Sequence, residues 1–346
     1  MGVLVRILIS LAGLGIVAWV VQGIDLAETG SAILGASLPY LALGLLLFGI
    51  GVFLRIVRWR YMLSPRKLVS LRALVTPLAI GYAIGNVTAT GVGAVPRSML
   101  VARTEGMPAS YVLGTVLLEF VMDAAVVVSW AAVASFLVDL PPALAPLPYL
   151  LALFAVVIYL VILAFKRRRS LLARALPLSR LIDRLPAEWR QGWVGFQEGA
   201  SEFLNRPSTV SRVGILTMLI WIVEASLFWV LMLAAGIGAS WAQGSVVMSF
   251  THVVIGIPSL PGFVGTLDAA ALTSLGTMGL DGARALSYTL IVHAYQIVPL
   301  TVAGALMAWR EGFGLTGKGW KDVRGQPPPL SPPGSQGWPA AGPPPG

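Results

Sequence analysis

The sequence predicts an all-α polytopic membrane protein, with six full transmembrane helices and two re-entrant helical hairpins arranged as an inverted repeat. Three observations predict it. Of the 346 residues, 57% are hydrophobic and 11% charged, with a mean hydropathy of +0.83, whereas a soluble domain carries about 25% charged residues. Six apolar runs approach the ~20 residues that cross a bilayer as a helix. Two further apolar stretches are broken by glycine and proline, and the basic residues are placed so that these two enter the membrane from opposite sides.

In chain order, the full spans are Val3 to Gly23, Leu38 to Val57, Tyr111 to Val138, Leu147 to Phe165, Val213 to Ala235 and Ala285 to Trp309. Arg6 ahead of an apolar core also fits a secretion signal, but Ile7 to Val21 lacks a clean small-x-small exit, so a retained helix is expected. The broken stretches are Leu74 to Pro96, with Gly85-Asn86 and Thr90-Gly91-Val92-Gly93, and Ser245 to Thr277, with Pro258-Ser259-Leu260-Pro261-Gly262-Phe263-Val264-Gly265. Irregular backbone at membrane depth is tolerated only where protein or a cavity satisfies it, which makes paired broken helices a pointer to a transporter binding site.

Charge sets the orientation. Arg55, Arg58, Arg60, Arg66, Lys67 and Arg72 lie between the second span and the first broken stretch, and the connector from Lys166-Arg167-Arg168-Arg169 to Arg212 is also rich in bases. Both belong on the cytoplasmic side. The segments Gln22 to Ser37, Asp139 to Pro146 and Gly236 to Gly244 carry no base and face outward. The first broken stretch therefore enters from the cytoplasm and the second from outside, with both termini cytoplasmic. Every Lys and Arg except Arg284 then lies at or inside the cytoplasmic edge. Asp281 and Arg284 read as outer-surface charges.

The membrane domain spans 1–311, with repeats of about 1–142 and 143–311. As a weak echo of that repeat, Gly91-Val92-Gly93 precedes Glu119 at about the spacing with which Gly262-Phe263-Val264-Gly265 precedes His293. Within the connector 166–212, Trp189, Trp193, Phe196, Ala200 and Phe203 recur at helical spacing opposite Arg190, Gln197, Glu198 and Glu202, as in an interfacial amphipathic helix. The remainder, 312–346, reads as a disordered Pro/Gly-rich tail, since nine of the 24 prolines follow Gly325.

Charges inside spans are expensive and mark candidate sites. Arg97 closes the first broken stretch and suits bidentate contact with a phosphate; the alternative is an edge anchor, the role expected of Arg103. Glu119 and Asp123, four residues apart, share a helix face. Either one of them holds a proton or a cation such as Arg97 neutralises the pair. Asp268 follows Pro261 by seven residues, and Arg97 with Asp268 is the expected gate pair. Glu224 lies mid-span, while His252 and His293 are either proton carriers or hydrogen-bonded packing residues.

The sequence excludes several classes. It has no cysteine, and no Walker loop, G-x-S-x-G or H-E-x-x-H motif, so ATP-driven transport by this chain and the common hydrolase chemistries are not expected. No metal-ligand spacing occurs, and no cofactor is expected. The net charge of +9 is explained by the cytoplasmic edge and calls for no nucleic acid. Asn86-Val87-Thr88 matches a glycosylation sequon by chance inside an apolar stretch.

Several segments resemble the flippase-like family that includes the transmembrane region of lysylphosphatidylglycerol synthases. They are Arg55-Ile56-Val57-Arg58-Trp59-Arg60, Gly85-Asn86 with Thr90-Gly91-Val92-Gly93-Ala94-Val95-Pro96-Arg97, Glu119 with Asp123, and Pro261-Gly262-Phe263-Val264-Gly265-Thr266-Leu267-Asp268. Ala94 and Asp268 depart from the family pattern, which usually has glycine and glutamate there. The resemblance covers roughly 1–311 and implies movement of an anionic phospholipid or polyprenyl-linked lipid between leaflets. The candidate substrate-binding residues are Arg97, Asn86, Gly91, Gly93, Pro261, Gly262, Gly265 and Asp268, and the candidate proton-coupling or ion-pair residues are Glu119, Asp123, Glu224 and His293. Only a short tail follows where those synthases carry a soluble transferase domain, so no enzyme activity of that kind is expected. The expected location is the inner cell membrane and the expected partner a membrane lipid. A membrane transferase acting on lipid-linked substrates and a non-transporting partner subunit are the alternatives.

Overall fold

The computed structural model describes residues 26–88, 91–136, 147–167, 199, 202–255, 261–263, 265–280 and 282–311. The expected first span, most of the amphipathic connector, Asp281 and the tail lie outside them. Among the described residues there are ten α-helices, one 3-10 turn and no strand: α1 (Leu26–Leu34), α2 (Leu38–Leu63), α3 (Leu71–Val87), α4 (Ala94–Glu105), α5 (Ala109–Ser135), α6 (Leu147–Arg167), α7 (Pro207–Ala234), α8 (Trp241–Ile255), the turn Pro261–Phe263, α9 (Thr266–Gly276) and α10 (Gly282–Arg310). Four of them, α2, α5, α7 and α10, are long and apolar enough to cross a membrane. The chain is a multi-pass helical membrane protein.

Local sequence sets the helix ends. Pro39 and Pro207 sit in the first turns of α2 and α7, where a missing N–H costs nothing. The Ser70 hydroxyl accepts from the Ala73 N–H at the start of α3. Gly106, left-handed at φ 66°, ends α4, and Pro108 stands ahead of α5. α2 runs six residues beyond the expected end of its span at Val57, through Arg55, Arg58 and Arg60, and stops only at Ser64-Pro65. The placing of Arg55 and Arg58 in a cytoplasmic loop is thereby corrected: both lie on a continuous helix, and Arg58 is fully buried.

Both broken stretches contain two separate helices. α3 and α4 form the limbs of the first, α8 and α9 those of the second. The first closes tightly: a Cβ on Gly93 would lie 1.8 Å from the Gly81 carbonyl oxygen, and one on Gly81 would lie 2.8 Å from the Cβ of Arg97. Only glycine lets these backbones touch. α2 packs on α7, α3 on α10, and α8 on α5, while the Pro261–Phe263 turn rests against α3. The second broken segment thus meets the first. A large apolar cluster built from α5, α7, α8, α9 and α10, centred on Phe228, Leu231, Met248 and Tyr288, holds one side together. A smaller one around Trp59, Leu74, Val101 and Tyr111 holds α2, α3, α4 and α5 on the other.

Candidate functional site

The buried charges lie between these two clusters. Arg97 is in the first turn of α4, its N–H bonded to the Gly93 carbonyl at 3.3 Å, and its side chain is buried. One Nη donates to Glu119 Oε2 at 2.7 Å, and the guanidinium lies 4.7 Å above the Trp59 ring, a cation–π contact. The Trp59 indole N–H in turn donates to the Thr115 hydroxyl. The other oxygen of Glu119 faces Arg58 at 2.9 Å. Arg58 also grips Asp123 through two bonds, of 2.5 and 2.8 Å, the forked geometry that suits arginine and not lysine. Trp221 adds an N–H to Asp123 at 3.0 Å.

A second group joins α2, α7 and α10. Arg55 donates to Glu224 at 2.9 Å and Gln296 to its other oxygen at 2.7 Å. His252 is 3.9 Å from Glu224, its Nδ1 bonded to the Met248 carbonyl and its ring held between Trp221 and Phe228. Three guanidiniums, Arg55, Arg58 and Arg97, therefore balance three carboxylates, Glu119, Asp123 and Glu224. Balanced pairing is what makes such groups tolerable away from water. For Glu119 and Asp123 this is the cation-neutralised alternative, with Arg58 as the main partner.

A third group sits at the turn of the second broken segment. Asp268, in the first turn of α9, accepts the Gly265 N–H at 3.1 Å and meets His293 Nδ1 at 2.7 Å through its other oxygen. His293 Nε2 reaches the Gly262 carbonyl at 2.9 Å. The turn so clamped carries three left-handed residues, Gly262 at φ 74°, Phe263 at 56° and Gly265 at 83°, the middle one a strained conformation for a side chain of that size. The expected gate pair of Arg97 with Asp268 is not formed: Arg97 is committed to Glu119 and Asp268 to His293. Each acid pairs with a basic side chain on a helix packed directly against its own.

The remaining candidates have mainly backbone or packing roles. Asn86 is buried and donates to Thr301 Oγ1 at 2.9 Å on α10. Gly91, at φ 84°, turns the chain between α3 and α4, Gly93 permits their close approach, and Pro261 opens the turn. Arg103 is exposed in the last turn of α4, as an edge residue should be. Arg55, Arg58 and Gln296 escaped the sequence reading. The available signal is an imbalance: Glu119, Asp123 and Glu224 stand mid-span, and only Arg97 is expected near them.

The matching family model, described as the lysylphosphatidylglycerol synthase TM region, covers residues 3–304. It takes in the three charged groups and both broken segments. The chain belongs to this family. A search of curated proteins found no match.

Proposed function

We propose that this member of the lysylphosphatidylglycerol synthase TM region family moves an anionic phospholipid or polyprenyl-linked lipid between leaflets of the cell membrane, without ATP. The observation that carries the reading is the meeting of the two broken segments, the Pro261–Phe263 turn against α3, the helix whose Gly81 lies against the buried Arg97 in the first turn of α4. A helix N-terminus and a guanidinium both favour a phosphate. Arg97 has donor capacity to spare, since its buried Nε has no hydrogen-bond partner among the described residues. An arriving phosphate exchanges with Glu119 on Arg97, and Glu119 keeps Arg58.

An inverted repeat of re-entrant hairpins is the architecture we assign to this activity. The packing supports it: exchanging α2, α3, α4 and α5 with α7, α8, α9 and α10 turns the α3–α10 pair into α8–α5, the α4–α5 pair into α9–α10, and α2–α7 into itself, and all of these pairs are in contact. A pseudo-two-fold of that kind lets the two halves rock about a common site. We place the termini in the cytoplasm by the positive-inside rule and assign the chain no catalytic step of its own. The test is leaflet accessibility of a fluorescent anionic phospholipid in proteoliposomes; movement no faster than in protein-free vesicles refutes the proposal.

A further inference from the structure

The contacts of His293 fix how many protons it and Asp268 hold. A carbonyl oxygen only accepts, so Nε2, bonded to the Gly262 carbonyl at 2.9 Å, must carry a hydrogen. The contact of Nδ1 with Asp268 Oδ1 at 2.7 Å then needs a second proton, either on Nδ1 facing a carboxylate or on Asp268 facing a neutral ring. In both arrangements the pair carries two protons and no net charge. His252 differs, since its one carbonyl bond, to Met248, needs a single N–H.

Burial favours the same state. Asp268 is 9% exposed, and His293 is its only cation in the described ion pairs, because Arg55, Arg58 and Arg97 are taken by the other three carboxylates. A lone carboxylate there costs several kcal/mol, and a neutral pair avoids that cost. On the elements packed against α10, the ionisable groups are Arg72 and Tyr82 of α3, Glu28 of α1, Arg212 and Glu224 of α7 and Asp268 of α9; α10 itself carries Arg284, Tyr288, Tyr295 and Arg310. Of these, Asp268 is the one hydrogen-bonded to His293.

We propose that His293 and Asp268 form a proton-binding site whose occupancy clamps the turn of the second broken segment. When the proton leaves to water, the neutral pair becomes a neutral imidazole beside a carboxylate. One ring hydrogen then remains for two acceptors, so either the Gly262 bond or the Asp268 bond is lost. Loss of either frees a turn held at three left-handed residues, one of them Phe263. The pair is thereby the entry point for a proton gradient in the lipid movement proposed above, and this last link alone rests on that reading. Asp268→Asn mimics the occupied state: its amide N–H donates to Nδ1 while its oxygen still accepts from Gly265, so the clamp persists at any pH.

The chain contains two histidines, so side-chain nitrogen NMR of the detergent-solubilised full chain, with carboxyl-carbon NMR of Asp268, counts the protons. Signals are assigned from the one lost in His252→Gln or in His293→Gln. Expected are two protons across the pair at neutral pH and loss of one as the pH is raised. A single proton at neutral pH, or two that persist to the alkaline limit of the folded protein, overturns the site. Hydrogen exchange gives the second arm: wild-type protection of the 262–265 amides falls about tenfold or more on alkalinisation, the change expected for one hydrogen bond to a charged group, whereas Asp268→Asn holds it. Equal pH dependence in both proteins overturns the clamp. No lipid is moved in either arm, so their failure leaves the lipid assay standing, and failure of the lipid assay leaves the proton count.

Discussion

Replacing Arg58 with methionine should destabilise the fold by stranding the carboxylates it holds. Arg58 is 0% exposed and holds Glu119 at 2.9 Å and Asp123 at 2.5 and 2.8 Å. Its contact with the Thr217 hydroxyl, at 3.3 Å, is minor: hydrogen bonds between membrane helices average about 0.6 kcal/mol. Stranding a buried carboxylate costs about 3–5 kcal/mol, and the low end applies here because the Asp123 side chain is 23% exposed. Glu119 keeps Arg97 and Asp123 keeps only the Trp221 N–H, so most of the loss falls at Asp123. At an unfolding entropy of about 2.1 cal/mol/K per residue, the 346-residue chain shifts by roughly 1.4 °C per kcal/mol, so the midpoint of thermal unfolding drops by about 4–5 °C. Tryptophan fluorescence during heating in one detergent reads this. Adding Asp123→Asn to Arg58→Met removes the stranded charge and should recover about 2 kcal/mol of the loss. A single variant that loses less than about 1 kcal/mol, or a double variant no more stable than the single, refutes the reasoning.

Gly93→Ala drives a methyl to within 1.8 Å of the Gly81 oxygen and should abolish a monodisperse peak in size-exclusion chromatography, whereas Gly91→Ala, with open space around it at φ +84°, should lower stability by only about 1–2 kcal/mol. Glu224→Gln leaves Arg55 without its carboxylate; because the Arg55 side chain is 15% exposed, the thermal midpoint should reflect the low end of about 3–5 kcal/mol, and Arg55→Met in the same chain should restore much of it. Asn86→Leu should cost between about 0.6 and 1.7 kcal/mol in the same thermal assay, the range measured for polar contacts between membrane helices.

Much of this was legible in the sequence because it depends on local pattern. Apolar length announced α2, α5, α7 and α10, and glycine and proline announced the breaks between α3 and α4 and between α8 and α9. The four-residue spacing of Glu119 and Asp123 put both on one face, where Arg58 meets them. The cations were harder to place, because a hydropathy reading ends a span where arginines begin to recur. Arg58 becomes a core residue only when Asp123, 65 residues away, folds onto it, and Arg55 only when Glu224, 169 residues away, does so. The pairing of Arg97 with Asp268 failed for a related reason. Sequence put each beside a break but gave no helix rotation, and Asp268 turns back to its own Gly265 N–H and to His293.

The central claim is that Arg97 handles the lipid phosphate, and the most direct measurement compares wild type with Arg97→Ala in the proteoliposome assay. Arg97→Ala should fold, because Glu119 retains Arg58, and a monodisperse, correctly inserted preparation verifies this. The account predicts that labelled anionic lipid from the inner leaflet reaches an external quencher with wild-type protein, and that Arg97→Ala falls to the protein-free rate. Wild-type vesicles that behave like protein-free ones, or Arg97→Ala vesicles that behave like wild type, contradict it.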